Sequence, residues 1–440
     1  MDDNKNYNKN NDLQQEEYED IYSDSTFIER VNTRKKKRKQ EKLKRNIIIS
    51  VIFVLLFGTV AAAALTGLLN NNSIPTRTEK TEESSSLKES SAESSEENEE
   101  ESSGPSFENS MEFKTASDVF SEKVQKELEK NITSGYVVLY DMTEDKILFQ
   151  KNGSKKCYPA STTKMLTAIV SSKIIDKDTV ITVGDEIELI GEESSTAGLV
   201  KGMKMTFEAL MDALLLPSGN DAAYTIAVNS ARIYSRNETL SNEEAVKLFV
   251  ELMNDAAKQI GCKNTHFVTP DGWHDDNHYT TAEDLARIAA YAKTIPLVSN
   301  SCKKSYAKWD LIKEESVSPE STSSQPEESS AAEVPDNNET QEPETGEIDE
   351  EEEAYGDTIE WYNSNALLLS DSGMYSEFAD GMKTGFTDEA GTSVVASATI
   401  NGHTLIASVM NGLTLYAKYD DANRLFTEGF KLYGLDYQYG

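Results

Sequence analysis

The residues of this 440-residue chain that are best suited to chemistry form three short motifs: S-x-x-K at 161–164, S-x-N at 218–220 and K-T-G at 383–385. A serine hydroxyl is a weak nucleophile and needs a base within hydrogen-bond reach. Positions i and i+3 share one face of a helix, so Ser161 and Lys164 are predicted to be neighbours. Each motif alone is weak, but their order and spacing together predict catalysis by Ser161 with Lys164 as its base.

A lysine can act as a base only when its amine is neutral at the working pH. Burial and a nearby positive charge both lower a lysine pKa, and Lys383 would supply that charge if its strand lies alongside. Ser218 and Asn220 would lie on a turn facing the same cleft, with Ser218 passing the proton to the leaving amine. The backbone N–H groups of Ser161, at a helix start, and of Phe386 would stabilise a developing oxyanion.

Strands near both ends of the catalytic region and helices between them would position these motifs. Two hairpins are predicted, at 135–153 and at 393–411, the second around Asn401-Gly402. Ser161 is expected to cap a helix over 161–175. Further helices are predicted at 243–259, 281–293 and 416–433, with two more from Thr206 onward that are broken at 217–219. The pattern predicts an α+β fold, an antiparallel sheet covered by helices with an inserted helical lobe.

Longer segments around the motifs resemble the low-molecular-weight penicillin-binding proteins, the serine D-alanyl-D-alanine carboxypeptidases of the peptidase family S11 type. These segments read YPASTTKMLTA, LLLPSGNDAA, TPDGWHDDNHYTTAEDLA, NSNALL and GMKTGFTDEAGTSVVASA. The resemblance covers roughly 116–435 apart from an acidic insert. It implies a β-lactamase/transpeptidase-like fold and, without cofactor or metal, an acyl-enzyme on Ser161. That intermediate would release D-alanine from peptidoglycan stem peptides, and β-lactams would inhibit the enzyme.

The resemblance also implies which residues hold the substrate. Lys383, Thr384 and Thr387 would bind the terminal carboxylate, and the same strand carries Gly385 and Phe386. Family members often use an arginine before the last helix for this carboxylate, and Lys418 occupies the matching place here. Because lysine lacks the bidentate fork of arginine, weaker carboxylate recognition is expected.

Residues 47–69 form an uncharged apolar stretch long enough to cross a bilayer as a helix. The basic run before it, RKKKRKQEKLKR, predicts that 1–46 is a cytoplasmic tail and that the rest lies outside the cell membrane. Because the basic run directly precedes an apolar stretch, a role in membrane topology explains it better than binding to nucleic acid or to a localisation receptor. A cleaved signal peptide is the alternative, since Ala61–Ala64 offer a cleavage site, but the preceding region is far too long.

Two acidic stretches dominate the net charge of −34. Residues 70–115 are predicted to be a disordered spacer, and residues 314–353 a disordered insert within a catalytic domain at 116–440. Calcium binding by the acidic runs is the alternative, but their spacing is not that of an EF-hand loop. The overall acidity argues against a general nucleic-acid binder.

Other reactive residue types lack a supporting pattern. His274 and His278 have metal-like spacing but lie in a loop without an evident third ligand. Cys157 lies near Ser161 without the His and Asn context of a cysteine nucleophile, and nothing favours a pairing of Cys262 with Cys302.

Two other functions compete with the carboxypeptidase. A class A β-lactamase would need a deacylating Glu in an E-x-x-L-N loop, and the nearest candidate, at 238–242, lacks that spacing. A non-enzymatic sensor or wall-binding module would suit the spacer and tail, but the intact Ser161, Lys164 and Lys383 argue against it.

Overall fold

The computed structural model describes residues 105–115, 119–313 and 356–440. The predicted tail, the apolar segment 47–69, most of the acidic spacer and the insert 314–353 lie outside the described residues, so the predictions for them stay predictions. Within the described part of the chain, no helix combines the length and the apolar character needed to cross a bilayer.

The described residues contain ten strands and eight α-helices. The strands are β1 (Lys114–Thr115), β2 (Tyr136–Asp141), β3 (Lys146–Lys151), β4 (Val180–Thr182), β5 (Lys204–Thr206), β6 (Tyr306–Asp310), β7 (Thr358–Tyr362), β8 (Ala379–Thr387), β9 (Gly391–Ile400) and β10 (His403–Gly412). The helices are α1 (Glu122–Asn131), α2 (Lys164–Ser171), α3 (Phe207–Leu215), α4 (Asn220–Ser235), α5 (Asn242–Ile260), α6 (Ala282–Lys293), α7 (Pro296–Lys303) and α8 (Ala417–Lys431).

Six of the strands form the main sheet, in the order β1-β3-β2-β10-β9-β8. Its neighbours are antiparallel except for β1 and β3, which pair in parallel over two residues. Strand β8 is at one edge. Helices α2 to α7 lie in sequence between β3 and β8, so the predicted mixed α+β architecture with a helical insertion is confirmed.

The sheet separates two hydrophobic cores because side chains alternate between the faces of a strand. In β2, Val137 and Leu139 join a core with the outer helices α1 and α8, which contribute Leu128 and Phe426. Val138 and Tyr140 join the larger core made with the inserted helices. Burial on both faces explains why β2 is almost continuously apolar.

The local predictions agree with the structure where the turn chemistry is strong. Asn401 (φ 51°) and Gly402 (φ 81°) connect β9 to β10, with the positive φ at both positions that a tight type I′ hairpin requires. The break between α3 and α4 lies at 216–219, where the Pro-Ser-Gly segment was predicted to interrupt the helix.

The boundary between spacer and domain was predicted too late in the chain. Residues 105–115, which composition assigns to the disordered spacer, pack onto the domain. Phe107 and Phe113 are buried, Phe113 stacks on Tyr140 with 3.9 Å between ring centroids, and the Phe107 N–H donates to the Gln259 side chain. These two phenylalanines bury apolar area on the domain, although the average composition of residues 70–115 is acidic and polar.

Strands β6 and β7 flank the acidic insert and pair with each other. Beyond their paired residues, the Leu311 N–H donates to the Asp357 carbonyl at 2.8 Å, and Lys313 forms an ion pair with Asp357. The chain therefore leaves the domain and returns to it at adjacent points. A long insertion is tolerated at such a place because loop closure becomes only slowly more costly with length.

Candidate active site

Ser161 lies in a 3₁₀ helix (Ala160–Thr163) that leads directly into α2. The prediction that Ser161 caps a helix is wrong, because α2 begins at Lys164 and the Ser161 hydroxyl faces the lysine instead. Ala160 has φ 49°, a conformation that is unusual for alanine. Such backbone strain is found preferentially at functional sites.

Lys164 connects three parts of the site through its ammonium group. Its Nζ atom is 3.0 Å from the Ser161 hydroxyl, 2.6 Å from the Asn220 Oδ1 atom and 2.9 Å from the Asp271 carbonyl oxygen. Lys164 is fully buried. All three ammonium protons therefore have an acceptor, which fixes the amine against the serine as the i, i+3 spacing predicted.

Burial lowers the pKa of Lys164 to about 8, and the nearby carboxylates of Asp271 and Asp221 partly oppose that shift. The charge of Lys383, which was expected to lower this pKa, is not among the leading causes. Repulsion between the two ammonium groups instead lowers the pKa of Lys383. At a pKa near 8, a useful fraction of Lys164 is neutral at physiological pH, as a general base requires.

The loop 269–279 packs against the turn that carries Ser161. A Cβ atom on Gly272, which has φ 89°, would lie 1.9 Å from the Ala160 carbonyl oxygen. His278 Nδ1 accepts from the Val268 N–H, so its Nε2–H donates to the Thr163 hydroxyl at 2.9 Å. Both ring nitrogens of His278 thus hold protein groups in place, which accounts for this histidine as a structural residue.

Ser218 and Asn220 lie on the turn between α3 and α4. Ser218 has φ 68° and is 7% exposed, and its carbonyl oxygen accepts from the Ser195 hydroxyl. Asn220 begins α4, and its N–H donates to the Ser195 carbonyl. The structure therefore joins Asn220 directly to Lys164, while within the described residues the Ser218 hydroxyl makes no hydrogen bond to Ser161 or Lys164.

Strand β8 carries Lys383, Thr384 and Gly385 past the 3₁₀ helix. A Cβ atom on Gly385 would lie 3.0 Å from the Pro159 carbonyl oxygen and 3.2 Å from the Thr162 nitrogen, so only glycine permits this close approach without a shift. The edge of β8 that faces away from β9 pairs with no other strand among the described residues. An extended peptide could therefore pair with the open edge of β8, the strand that passes the 3₁₀ helix of Ser161.

Three lysines converge on this cleft. The pKa of Lys383 is lowered well below its usual range, first by burial and then by the ammonium of Lys164, with a smaller effect from Lys418. Burial also lowers the pKa of Lys418 to about 8. Within the described residues, the Lys418 Nζ atom makes no hydrogen bond and lies 4.9 Å from the Tyr419 ring. The concentration of buried cations suits an anionic group such as a carboxylate.

Strand β8 also carries Phe386 and Thr387, the other two residues that the sequence predicted at the substrate site. Phe386 pairs in register with Thr392 of β9. The Thr387 hydroxyl accepts from the Ala390 N–H at 3.0 Å and so also fixes the turn into β9. Its proton is still available to a ligand.

Sequence reasoning missed three residues that shape the site. Asp271 gives its carbonyl oxygen to Lys164, and Ser364 shares a 2.7 Å hydrogen bond with the Thr384 hydroxyl. Ser195 holds the turn of Ser218. Asp271 and Ser364 lie within the segments TPDGW and NSNALL, whose resemblance to the family could have identified them. Ser195 lies in no such segment, so the sequence did not point to it.

The three cysteines are free thiols, so the possible Cys262–Cys302 pairing is absent. Burial raises the pKa of Cys157 and of Cys302 to about 12. A thiol protonated to that extent is a poor nucleophile.

The fold is similar to that of known proteins. The crystal structure of the Streptomyces K15 DD-transpeptidase is similar, with a TM-score of 0.54, 27% identity, and coverage of 68% of this chain and 98% of that chain. Penicillin binding protein 5 from Haemophilus influenzae gives a TM-score of 0.50 at 27% identity, with 68% and 71% coverage.

Curated relatives give the same picture. The D-alanyl-D-alanine carboxypeptidase DacA of Escherichia coli (strain K12) is 28% identical over 306 residues, 67% of this chain and 60% of that protein. The D-alanyl-D-alanine carboxypeptidase of Streptomyces sp. (strain K15) is 29% identical over 290 residues, 65% of this chain and 83% of that protein. The chain thus spans about 60% of the length of the first of these relatives.

The sequence profile described as D-alanyl-D-alanine carboxypeptidase, peptidase family S11, matches residues 122–329 and 329–414. These segments contain all three motifs and more than half of the chain. The chain therefore belongs to the D-alanyl-D-alanine carboxypeptidase family.

Proposed function

We propose that this protein is a serine-type D-alanyl-D-alanine carboxypeptidase that removes the terminal D-alanine from peptidoglycan stem peptides through an acyl-enzyme on Ser161. The observation that carries this proposal is the 3.0 Å contact between the Ser161 hydroxyl and the buried Lys164 amine, whose pKa is about 8. Acyl transfer needs a nucleophile and, within hydrogen-bond reach of it, a base whose pKa lies near the working pH.

In the proposed first step, neutral Lys164 takes the Ser161 proton as the serine oxygen attacks the carbonyl carbon of the penultimate D-alanine. The backbone N–H groups of Ser161 and Phe386 stabilise the oxyanion. Ser218 donates its hydroxyl proton to the nitrogen of the terminal D-alanine and takes up the proton that Lys164 had accepted, and the carbon–nitrogen bond breaks. Water then hydrolyses the ester and regenerates Ser161.

The substrate carboxylate would bind where the cations converge. Lys383, Thr384 and Thr387 lie along β8, and Lys418 lies at the start of α8, close enough to Lys383 to lower its pKa. The Thr384 hydroxyl, oriented by Ser364, would donate to a carboxylate oxygen. This arrangement favours a peptide with a free C-terminus.

The direct test is release of free D-alanine from a peptide ending in Lys-D-Ala-D-Ala by the full-length chain. We expect release that is blocked by prior treatment with benzylpenicillin. Absence of release while penicillin still acylates Ser161 would favour a sensor, or an enzyme whose substrate needs the glycan strand or a cross-linked peptide. Absence of both reactions would refute the proposed catalytic mechanism.

A fast β-lactamase is disfavoured by the position of the nearest sequence candidate for its deacylating Glu. In the segment 238–242, Glu238 is exposed, and Ser241 caps α5 in a capping box with Glu244. We therefore expect a penicillin adduct on Ser161 that persists for many minutes. Intact-mass spectra over time would detect it, and loss of the adduct within seconds would favour the β-lactamase.

Lys418 is predicted to limit affinity for the substrate carboxylate. The Lys418→Arg variant should lower the KM for a D-Ala-D-Ala peptide by about threefold to tenfold, because arginine can form two parallel hydrogen bonds with a carboxylate. The kcat should change little. Steady-state kinetics measures both, and an unchanged KM in a normally folded variant would contradict this role.

Asp271 is predicted to set the pH at which Lys164 becomes active. Burial is the largest influence on the pKa of Lys164 and lowers it, while Asp271 and Asp221 raise it. The Asp271→Asn variant should therefore lower the pKa of Lys164 and shift the acidic limb of the acylation rate by about half a unit to one unit toward lower pH. The pH profile of penicillin acylation measures this shift.

The matched control for this prediction is Asp271→Glu, which keeps the charge and should return the limb toward its original pH. An acidic limb that stays in place in Asp271→Asn would show that this carboxylate does not tune Lys164. The change in folding stability should be modest, because the Asp271 Oδ2 atom is buried without a hydrogen-bond partner in the described residues.

We also propose that residues 47–69 anchor the protein in the cell membrane, with 1–46 in the cytoplasm and the catalytic domain on the cell-wall side. The uncharged apolar run and the basic run before it support this orientation. Protease added to intact, wall-digested cells should remove the catalytic domain and leave a protected N-terminal fragment. Protection of the catalytic domain would reverse the orientation.

A further inference from the structure

Strand β8 contains one extra residue just before its K-T-G motif. Ala379 of β8 is level with Ala398 of β9, and Gly381 is level with the adjacent residue of β9, Ser397, so the register shifts by one. Asp380 is the inserted residue of this β-bulge. Bulges occur preferentially beside active sites, where they change the direction in which a side chain points.

The bulge decides on which face of the sheet Lys383 lies. Ala379 packs against the core made with the outer helices α1 and α8. In a regular strand, residues four positions apart share a face, so Lys383 would lie on that outer face as well. The extra residue reverses the alternation. Lys383 is level with Val395, which belongs to the larger core made with the inserted helices, the face that carries the active site.

The backbone of the bulge has an unfavourable conformation. Gly381 has φ 91° and Met382 has φ 83°, values that a residue with a long side chain such as methionine rarely adopts. A Cβ atom on Gly381 would lie 1.8 Å from the carbonyl oxygen of Cys302, so the end of α7 passes directly against the bulge. Such conformations persist only where the surrounding contacts stabilise them.

The buried side chain of Asp380 provides those contacts. Its Oδ2 atom accepts from the Lys293 ammonium at 2.9 Å and also from the Thr399 hydroxyl. Its Oδ1 atom lies 3.1 Å from the Lys303 ammonium. The Lys293 ammonium also donates to the hydroxyl of Ser397, the residue opposite the bulge, at 3.2 Å. One carboxylate therefore joins the bulge to the ends of α6 and α7 and to β9.

The charge of Asp380 is part of this arrangement. Burial raises its pKa, but the ammonium of Lys293 and the hydrogen bonds from its partners lower it more, so the pKa lies below its usual range. Removing one partner of a buried ion pair leaves the other charge uncompensated. Among the described residues, no hydrogen bond joins Asp380 to Lys383, so any effect on Lys383 passes through the backbone of the bulge.

We propose that Asp380 is a positioning residue, which holds the bulge in place through Lys293, Lys303 and Thr399 and so keeps Lys383 directed at the terminal carboxylate of the substrate. The inference rests on the proposed carboxypeptidase function, in which Lys383 binds that carboxylate. Loss of the Asp380 charge relaxes the bulge and displaces the Lys383 ammonium. The consequence is a loss of recognition that is specific to substrates with a free C-terminus.

The test compares a peptide ending in Lys-D-Ala-D-Ala with the same peptide amidated at its C-terminus, using the full-length chain. In the parent protein, kcat/KM should be about tenfold to a hundredfold higher for the free acid, because the amide lacks the charge that the lysine binds. The Asp380→Asn variant keeps the shape of the side chain and should reduce this preference at least about threefold, through a higher KM for the free acid. A merely structural role would slow both peptides by the same factor.

The matched control is Glu283→Gln, which breaks the 2.9 Å ion pair with Arg287 at the other end of α6 and should keep the preference. If Asp380→Asn does not fold, Lys303→Gln removes a half-exposed partner of the carboxylate and should shift the preference in the same direction.

Equal kcat/KM for the two peptides in the parent protein would overturn the proposal. An unchanged preference in folded Asp380→Asn, or in Lys303→Gln where that variant does not fold, would also overturn it. If neither peptide is cleaved, the proposed function fails. Calorimetric affinities of both peptides for Ser161→Ala, with and without Asp380→Asn, then still decide the role of Asp380.

Discussion

We expect the Ser161→Ala variant to lose at least about 10⁴-fold in the rate of D-alanine release and to form no covalent adduct with penicillin. The hydroxyl of Ser161 is the proposed attacking group, and alanine offers no oxygen at that position. Only substrate binding and oxyanion stabilisation would remain. An assay of free D-alanine and intact-mass spectra with benzylpenicillin measure the two losses.

The fold of this variant should be intact, because the Ser161 side chain is partly exposed and contributes one hydrogen bond to Lys164. Ser172→Ala is a matched control: its hydroxyl donates to the Ile169 carbonyl at the end of α2, away from the cleft. This control should keep both activities. Penicillin adducts that persist in Ser161→Ala would assign the nucleophile to another residue.

The sequence was sufficient to predict the parts of the site that depend on local chain geometry. The i, i+3 spacing placed Lys164 against Ser161, and the 3.0 Å contact confirms that proximity. The Asn401-Gly402 pair and the break at 216–219 were also predictable, because turn chemistry depends on two or three adjacent residues. These features do not need the tertiary fold.

The parts that could not be predicted depend on contacts between distant segments. The Asp271 acceptor of Lys164 is a backbone carbonyl, and any residue type can supply one. The effect of burial on the pKa of Lys164 depends on how completely the surrounding helices cover it. The domain boundary was missed because a composition average over 70–115 hides two phenylalanines that pack into the core.

The Lys164→Met variant should lower the rate of acylation by about 10²- to 10⁴-fold, both for a D-Ala-D-Ala peptide and for penicillin. Methionine has a similar length and fills the buried site without an amine. The variant leaves the Asn220 and Asp271 oxygens without their shared donor, so the melting temperature must be measured beside the rate. A folded variant with nearly normal acylation would exclude Lys164 as the base.

The Lys164→Arg variant separates a base from a fixed positive charge. Arginine keeps the charge but does not release its proton in the working pH range. If Lys164 is the base, Arg should be almost as slow as Met, and acylation in the parent protein should rise with pH as the amine with a pKa of about 8 becomes neutral. That rise should be absent from both variants. If the charge alone is needed, Arg should retain most of the rate, and acylation by the parent protein should fall as the pH rises through the same pKa.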